Sequence, residues 1–275
     1  MLRLIKIELQ KIWFNKSSRN LVFVSLILPF TFILFASIKI KINASYNLKS
    51  NDLGIFSFPI IWHFTTYLTS IIKFLFAFVI VGVISNEYSN KTLKQNLIDG
   101  LSKQEYICSK FYVIVLYALL ATFIITCITF GIGFFMSDTS LKISEIFNGT
   151  EYLIAYFLKL VSFFSLCLFL GLAIKRSVFA LALIFMIYIA EWLLYGIAYY
   201  FLGTNKATSI KDFFPLQAIS NLIEQPFQRI TTNKITQLKG FTYDYSLHNY
   251  EVIIVILWTL IFLTLSYKLL KKRDL

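Results

Sequence analysis

Three ionisable side chains stand inside otherwise apolar runs: Lys73, Lys159 and Glu191. A charge in hydrocarbon is costly unless it is paired or hydrated, so such residues mark ion pairs, proton relays or polar paths. Counted from the ends of their runs at Asn86 and Arg176, the three lie at depths of roughly 20–25 Å at helical rise, which allows them to meet in one layer. Glu191 is expected to pair with Lys73 or Lys159, either locking the helices together or lining a polar path. The competing reading lets both lysines snorkel to headgroups while Glu191 takes a backbone or tyrosine partner. Other chemistry finds little support. The chain has no GxxxxGK[ST] and cannot cradle ATP phosphates in a P-loop, and it has no HExxH or other metal-ligand spacing among its two histidines, His63 and His248. Cys108, Cys127 and Cys167 lack CxxC spacing and read as buried thiols. His63 reads as an interfacial residue, and Gly131 with Gly133 as a site of close helix packing. No catalytic, cofactor-binding or metal residue is therefore expected.

The elements that must hold these charges are membrane helices. Hydrophobic residues make up 58% of the 275 positions, aromatics 18% and charged residues only 15%, with a mean hydropathy of +0.73, too apolar for a soluble domain of this length. Apolar runs at about 21–38, 60–85, 106–136, 152–174, 178–202 and 252–269 are each long enough to cross a bilayer. The first is followed by no small-x-small cleavage site and reads as a span, not a signal peptide. Residues 1–16 carry Leu2, Ile5, Leu9, Ile12 and Trp13 on one side with Arg3, Lys6, Glu8 and Lys11 flanking, the pattern of an interfacial helix. Only Lys175, Arg176 and Ser177 separate the fourth and fifth spans, which must form a tight hairpin. Apolar residues spaced from Phe213 to Phe227 suggest an interfacial or re-entrant segment at about 213–229, serving either as a lid or as a helix closing that end of the bundle.

Residues 86–110, NEYSNKTLKQNLIDGLSKQEYICSK, form a polar island between the second and third spans. Leu93, Leu97, Ile98 and Leu101 recur there at helical spacing, predicting a short amphipathic helix. Gly100 is its expected stop, and Ser102 with Glu105 is a capping box launching the next helix. One side of the membrane, bearing both termini, the island and residues 175–177, holds 15 basic residues in 56 positions; the other holds 9 in 81. The positive-inside rule places the richer side in the cytoplasm. The net charge of +12 thus reflects topology, and no nucleic-acid motif accompanies it.

The island's wording, Glu87 at the end of a span followed by Lys91, Thr92 and Leu93, then Leu101, Ser102, Lys103 and Lys110, resembles the cytoplasmic loop of ABC-2 type transporter permeases. The basic ending LLKKRDL is similar to that family's as well. Lys91 stands where the family usually has Gly, and no Pro precedes Ser102. The resemblance implies that residues 86–105 are a coupling segment docking on a separate ABC ATPase. Glu87 would be the hinge, Thr92 would lie in the coupling helix, and Leu93, Leu97, Ile98 and Leu101 would be docking knobs. It also implies a second permease subunit, identical or related, and ATP and Mg on the partner chain alone.

The expectation is a single all-α integral membrane domain over 1–275 with six spans, an N-terminal interfacial helix, a coupling helix between spans two and three, and both termini inside. It would be the permease subunit, not itself an enzyme, of an exporter in a bacterial inner membrane, moving a hydrophobic or amphipathic substrate. Two alternatives stay open: an ion-coupled secondary transporter using Lys73, Lys159 and Glu191, and a membrane component of an ATPase-driven mechanical or signalling complex.

Overall fold

The computed structural model describes residues 2–37, 55–137, 143–226 and 245–273, and every regular element among them is helical. In chain order they are α1 (Leu2–Phe14), α2 (Lys16–Ser37), α3 (Ile60–Ile71), α4 (Lys73–Ser89), α5 (Thr92–Ile98), α6 (Lys103–Met136), α7 (Ile143–Phe147), α8 (Glu151–Ile174), α9 (Ser177–Leu202), α10 (Thr204–Lys211), α11 (Pro215–Asn221) and α12 (Asn249–Lys272). Five of them, α2, α6, α8, α9 and α12, are long and apolar enough to span a bilayer alone, and α3 with α4 makes a bent sixth. Helices satisfy their backbone internally, which is the condition for crossing hydrocarbon.

The bundle is built around α8, the most deeply buried span, which touches α3, α4, α6, α9, α11 and α12. Its small residues let neighbours in close: a Cβ on Gly171 would stand 3.2 Å from Ile84 Cδ1, so α4 rests directly on that glycine. Gly133 plays the same part on α6, where a Cβ would fall 2.5 Å from the Phe58 ring; Gly131 has open space. Only one of the two glycines in the GIGF stretch is therefore needed for packing.

The second span is not the single rod its hydropathy suggests. It breaks at Ile72 with a 46° bend. Thr65, Thr66, Thr69 and Ser70 each return their hydroxyl to a carbonyl three or four residues back, at 2.7–2.8 Å for the shortest bond of each. Such back-bonding bends helices. At the break the ladder tightens, with Ile72 N donating to Thr69 O at 3.1 Å and Leu75 N to Ile72 O at 2.9 Å.

The predicted local signals are present. Gly100 ends α5's turn at φ +96°, and Ser102 and Glu105 form the reciprocal capping box at the start of α6. The α8–α9 hairpin turns through Lys175 at φ +63° and is pinned by Ser85, whose hydroxyl donates to Lys175 O at 3.0 Å and accepts from Ser177 N at 3.1 Å. Lys91, just ahead of α5, sits at φ +57°, a left-handed conformation that favours glycine. That is the backbone reason for the Gly usual at this place.

Beyond Leu202 a short helix, α10, precedes the expected interfacial segment, within which the structure forms the seven-residue α11; residues 227–229 of the expected range lie outside the described ones. Leu216, Ile219, Leu222 and Ile223 are buried, so α11 closes the end of the bundle by packing on α8, α9 and α12, while Phe213 remains exposed. Cys167 is buried as expected, but Cys108 is only partly covered and Cys127 is exposed on the helix surface. Apolar residues beside these thiols satisfy the bilayer as well as the core, so hydropathy alone does not sort the two.

Candidate coupling site

The island's flanking helices are tied to the N-terminal helix by a buried ionic cluster. Glu87 near the end of α4 takes an ion pair from Lys110 on α6, Nζ to Oε1 at 2.5 Å, and a weaker one from Lys11 on α1 at 3.3 Å. Lys110 also pairs with Glu8 on α1, and Lys11 reaches the same Glu8 at 2.8 Å. Tyr106 donates its hydroxyl to Glu87 Oε2 at 2.6 Å. Glu8, Glu87, Tyr106 and Lys110 are all 5% exposed or less. Two carboxylates and two ammonium groups make the cluster neutral, which is what allows three buried charges to sit together with Lys11 at the partly covered edge. Burial pulls the Lys11 ammonium down, but the charges of Glu87 and Glu8 outweigh it and hold the group above its ordinary value.

Of these five residues the sequence singled out Glu87 for a role and Lys110 for its place in the loop pattern. Glu8 and Lys11 read as flanks of an amphipathic helix, and Tyr106 carried no signal. The partners lie 76 and 102 residues apart in the chain, so no local spacing reveals them.

The island helix itself faces differently from the amphipathic expectation. Leu93 is 2% exposed, and Leu97 and Leu101 are partly buried against the main core; of the four expected docking knobs only Ile98, at 72%, points outward. A seven-residue helix lying on its own bundle spends its apolar stripe there. The outward face consists of Lys94, Gln95, Ile98 and Asp99. Thr92 is oriented inward and bonds Glu87 O at 3.4 Å, linking α5 to the ionic cluster.

A second tie comes from the end of α12. The Arg273 guanidinium donates to Tyr88 Oη at 2.9 Å and to the terminal carbonyls of α8, Leu172 O at 2.5 Å and Ala173 O at 2.8 Å. Cations suit helix C-termini, where carbonyls lack partners. Lys103, at the start of α6, donates back to Arg273 O at 2.9 Å. The segment from Glu87 to Lys110 is thus held at its base by α1, α8 and α12.

Two of the three intramembrane charges, Glu191 and Lys159, bond α11, and among the described residues no ion pair joins the three. Glu191 accepts from the backbone amides of Leu216 and Gln217 at 2.9 and 3.0 Å, at the N-terminal end of α11. Lys159 donates to Ser220 O at 3.2 Å, at its C-terminal end. A carboxylate at the start and an ammonium at the end of a helix complement its dipole and its unpaired backbone groups. Lys73 lies 5.2 Å from the Phe163 ring centroid and 5.9 Å from that of Phe74, within electrostatic range of Glu191 and Lys159. All three are buried, and among the described residues none forms an ion pair. Glu191 therefore takes the backbone partner of the competing reading in place of a lysine, while both lysines stay buried and do not snorkel as that reading required. His63 is also not interfacial. It is fully buried, stacked on Tyr152 with ring centroids 4.3 Å apart and bonded to Glu224 O at 2.8 Å.

No cluster of His, Cys, Asp or Glu able to hold a metal occurs among the described residues. Up to six potential crossings, a helix lying beside them and a charged base around a short helical loop define a multi-pass, all-helical membrane protein. A family model described as "ABC-2 family transporter protein" matches residues 15–275. The chain belongs to the ABC-2 transporter family and is a permease component of an ABC transporter, a class whose partner is an ABC ATPase. No curated protein matches the chain.

Proposed function

We propose that this permease receives the stroke of its ATPase through α5 and passes it to the bundle through the Glu8–Lys11–Glu87–Tyr106–Lys110 cluster. The observation that carries this reading is the burial of that cluster at the junction of α1, α4 and α6, next to a helix whose Lys94, Gln95, Ile98 and Asp99 remain free to meet a partner. α4 and α6 flank α5 on either side, so a push on α5 reaches both spans and, through Glu8, the N-terminal helix. Glu87 is the fulcrum, since it touches every part that would move.

The basic side of the chain faces the cytoplasm of a bacterial inner membrane in this reading, where ATP and Mg bind the ATPase and not this chain. Two permease subunits, identical or related, form the conducting unit. The exposed apolar surfaces of α9 and α12 suit a second permease as well as lipid. The cargo is hydrophobic or amphipathic and is exported.

The test is co-purification of an ATPase from native membranes with the intact chain and with a Lys94→Glu, Ile98→Asp variant. Recovery with the first and loss with the second, at unchanged thermal stability, supports docking on α5. Equal recovery with both places the docking surface elsewhere, and no recovery with either overturns the ATPase-driven reading. Cargo movement in vesicles then separates export from mechanical or signalling work.

A further inference from the structure

The N-terminal helix pair is fastened to α6 at two points. Below, Glu8 of α1 pairs with Lys110; above, the Ser25 hydroxyl of α2 bonds the Tyr117 hydroxyl. Lys110 and Tyr117 are seven residues apart, about 10 Å along the helix. Between these anchors the chain breaks at Asn15, whose side chain caps the start of α2 by accepting from Ser17 N at 3.0 Å and Ser18 N at 3.3 Å. Between α1, α4 and α6 lies an open-sided cavity of about 870 Å³. That is near the top of the roughly 300–1,000 Å³ range of small-molecule sites.

Its walls are apolar, from Leu9 and Ile12 on α1, Val83 on α4 and Val113 on α6. The charged groups at its floor, Glu8 and Lys110, already satisfy each other. Water has few partners to hold it there, and an empty space of this size forfeits the contacts of all its lining atoms. The rim is basic. Residues 2–19 contain Arg3, Lys6, Lys11, Lys16 and Arg19 against the single acid Glu8. Lys6 lines the cavity, is exposed, and has no ion pair among the described residues. Trp13, more than half exposed and under the Arg19 guanidinium at 6.0 Å, has the character of an interfacial anchor.

We propose that this cavity is a binding site for an anionic phospholipid of the leaflet in which α1 lies, with acyl chain between α1 and α4/α6 and headgroup phosphate at Lys6. Calling that leaflet cytoplasmic rests on the orientation proposed above; the site itself does not depend on the ATPase.

The full chain, with whatever subunits accompany it, is reconstituted in vesicles of phosphatidylcholine and phosphatidylglycerol carrying a trace of either lipid with a photoreactive group in its acyl chain. Cross-linked positions are mapped by mass spectrometry. Labelling is expected at Val83 and Val113, with phosphatidylglycerol exceeding phosphatidylcholine about fivefold, the effect of one lysine beside an anionic headgroup. Lys6→Gln should bring the two lipids to parity. Val83→Trp should abolish labelling at Val113 and leave that at Phe123, 66% exposed on the surface of α6, unchanged as a report of insertion. Labelling of Phe123 without Val83 or Val113 in the intact chain overturns the proposal, as does equal labelling by the two lipids. If Val83→Trp fails to insert, the headgroup comparison between the intact chain and Lys6→Gln decides alone.

Discussion

Replacing Lys110 by Met tests the ionic cluster most directly. The methionine keeps the apolar stem and removes the charge that bridges Glu8 and Glu87. Two buried carboxylates then share Lys11, which holds them at 2.8 and 3.3 Å and is itself only partly covered. Removing one partner from a buried pair costs about 3–5 kcal/mol, because the remaining charge stays desolvated. For a chain of this size each kcal/mol moves a melting midpoint by about 2–4 °C, so Lys110→Met should melt roughly 6–20 °C lower in detergent. Adding Glu8→Gln to that background should recover part of the loss, since it removes one uncompensated charge, although Glu8→Gln alone is destabilising. This change of sign is the discriminating readout of a double-mutant cycle. Thermal unfolding of the four proteins in a Cys108→Ser, Cys127→Ser background, followed by exposure of the buried Cys167 to a maleimide dye, supplies the data. A Lys110→Met midpoint within 2 °C of Lys94→Met, an exposed control, or strict additivity of the two changes, would refute the cluster as the fastening of α1 to the bundle.

Other outcomes follow from single contacts. Leu93→Ala should destabilise by about 2–4 kcal/mol because the side chain is buried under α5, whereas Ile98→Ala should fall within about 0.5 kcal/mol; equal effects in thermal melts would show that α5 does not rest on its leucine face. Lys91→Gly should stabilise by about 1 kcal/mol by relieving the left-handed backbone, and a loss of stability would contradict the φ of +57°. Gly133→Ala should cost about 1–3 kcal/mol by displacing the Phe58 ring while Gly131→Ala is harmless, a contrast read from the same melts. Glu191→Ala should destabilise by about 1–3 kcal/mol for each of the two amides left without an acceptor; no change would mean that α11 does not depend on it.

The parts of this architecture written in neighbouring residues were legible in the sequence. Ser102 and Glu105 lie three apart and make their capping box by themselves; Gly100 stops a turn, and three polar residues between two apolar runs can only make a hairpin. The parts decided by distant partners were not. Hydropathy counts Thr65, Thr66, Thr69 and Ser70 as tolerable in a span, but their hydroxyls compete for the helix's own carbonyls and bend it. Periodicity found the stripe of Leu93, Leu97 and Leu101 but could not tell a partner's surface from the chain's own. Glu191 was recognised as a charge in need of company, and the company turned out to be backbone amides, which carry no sequence signature. Glu8 looked like one more flank of an interfacial helix because Lys110, which takes it, stands more than a hundred positions away.

That distance has a consequence for how the molecule is made. When α1 leaves the ribosome, neither Glu87 nor Lys110 exists. At about 5–20 residues per second, the 102 residues separating Glu8 from Lys110 take about 5–20 s to be synthesised. Through that interval the nascent α1 is held by its apolar face and by its junction with α2, with Glu8 and Lys11 neutralising each other one turn apart. Its seating beside α4 and α6 is therefore a late event of biogenesis, completed when the third span delivers its lysine.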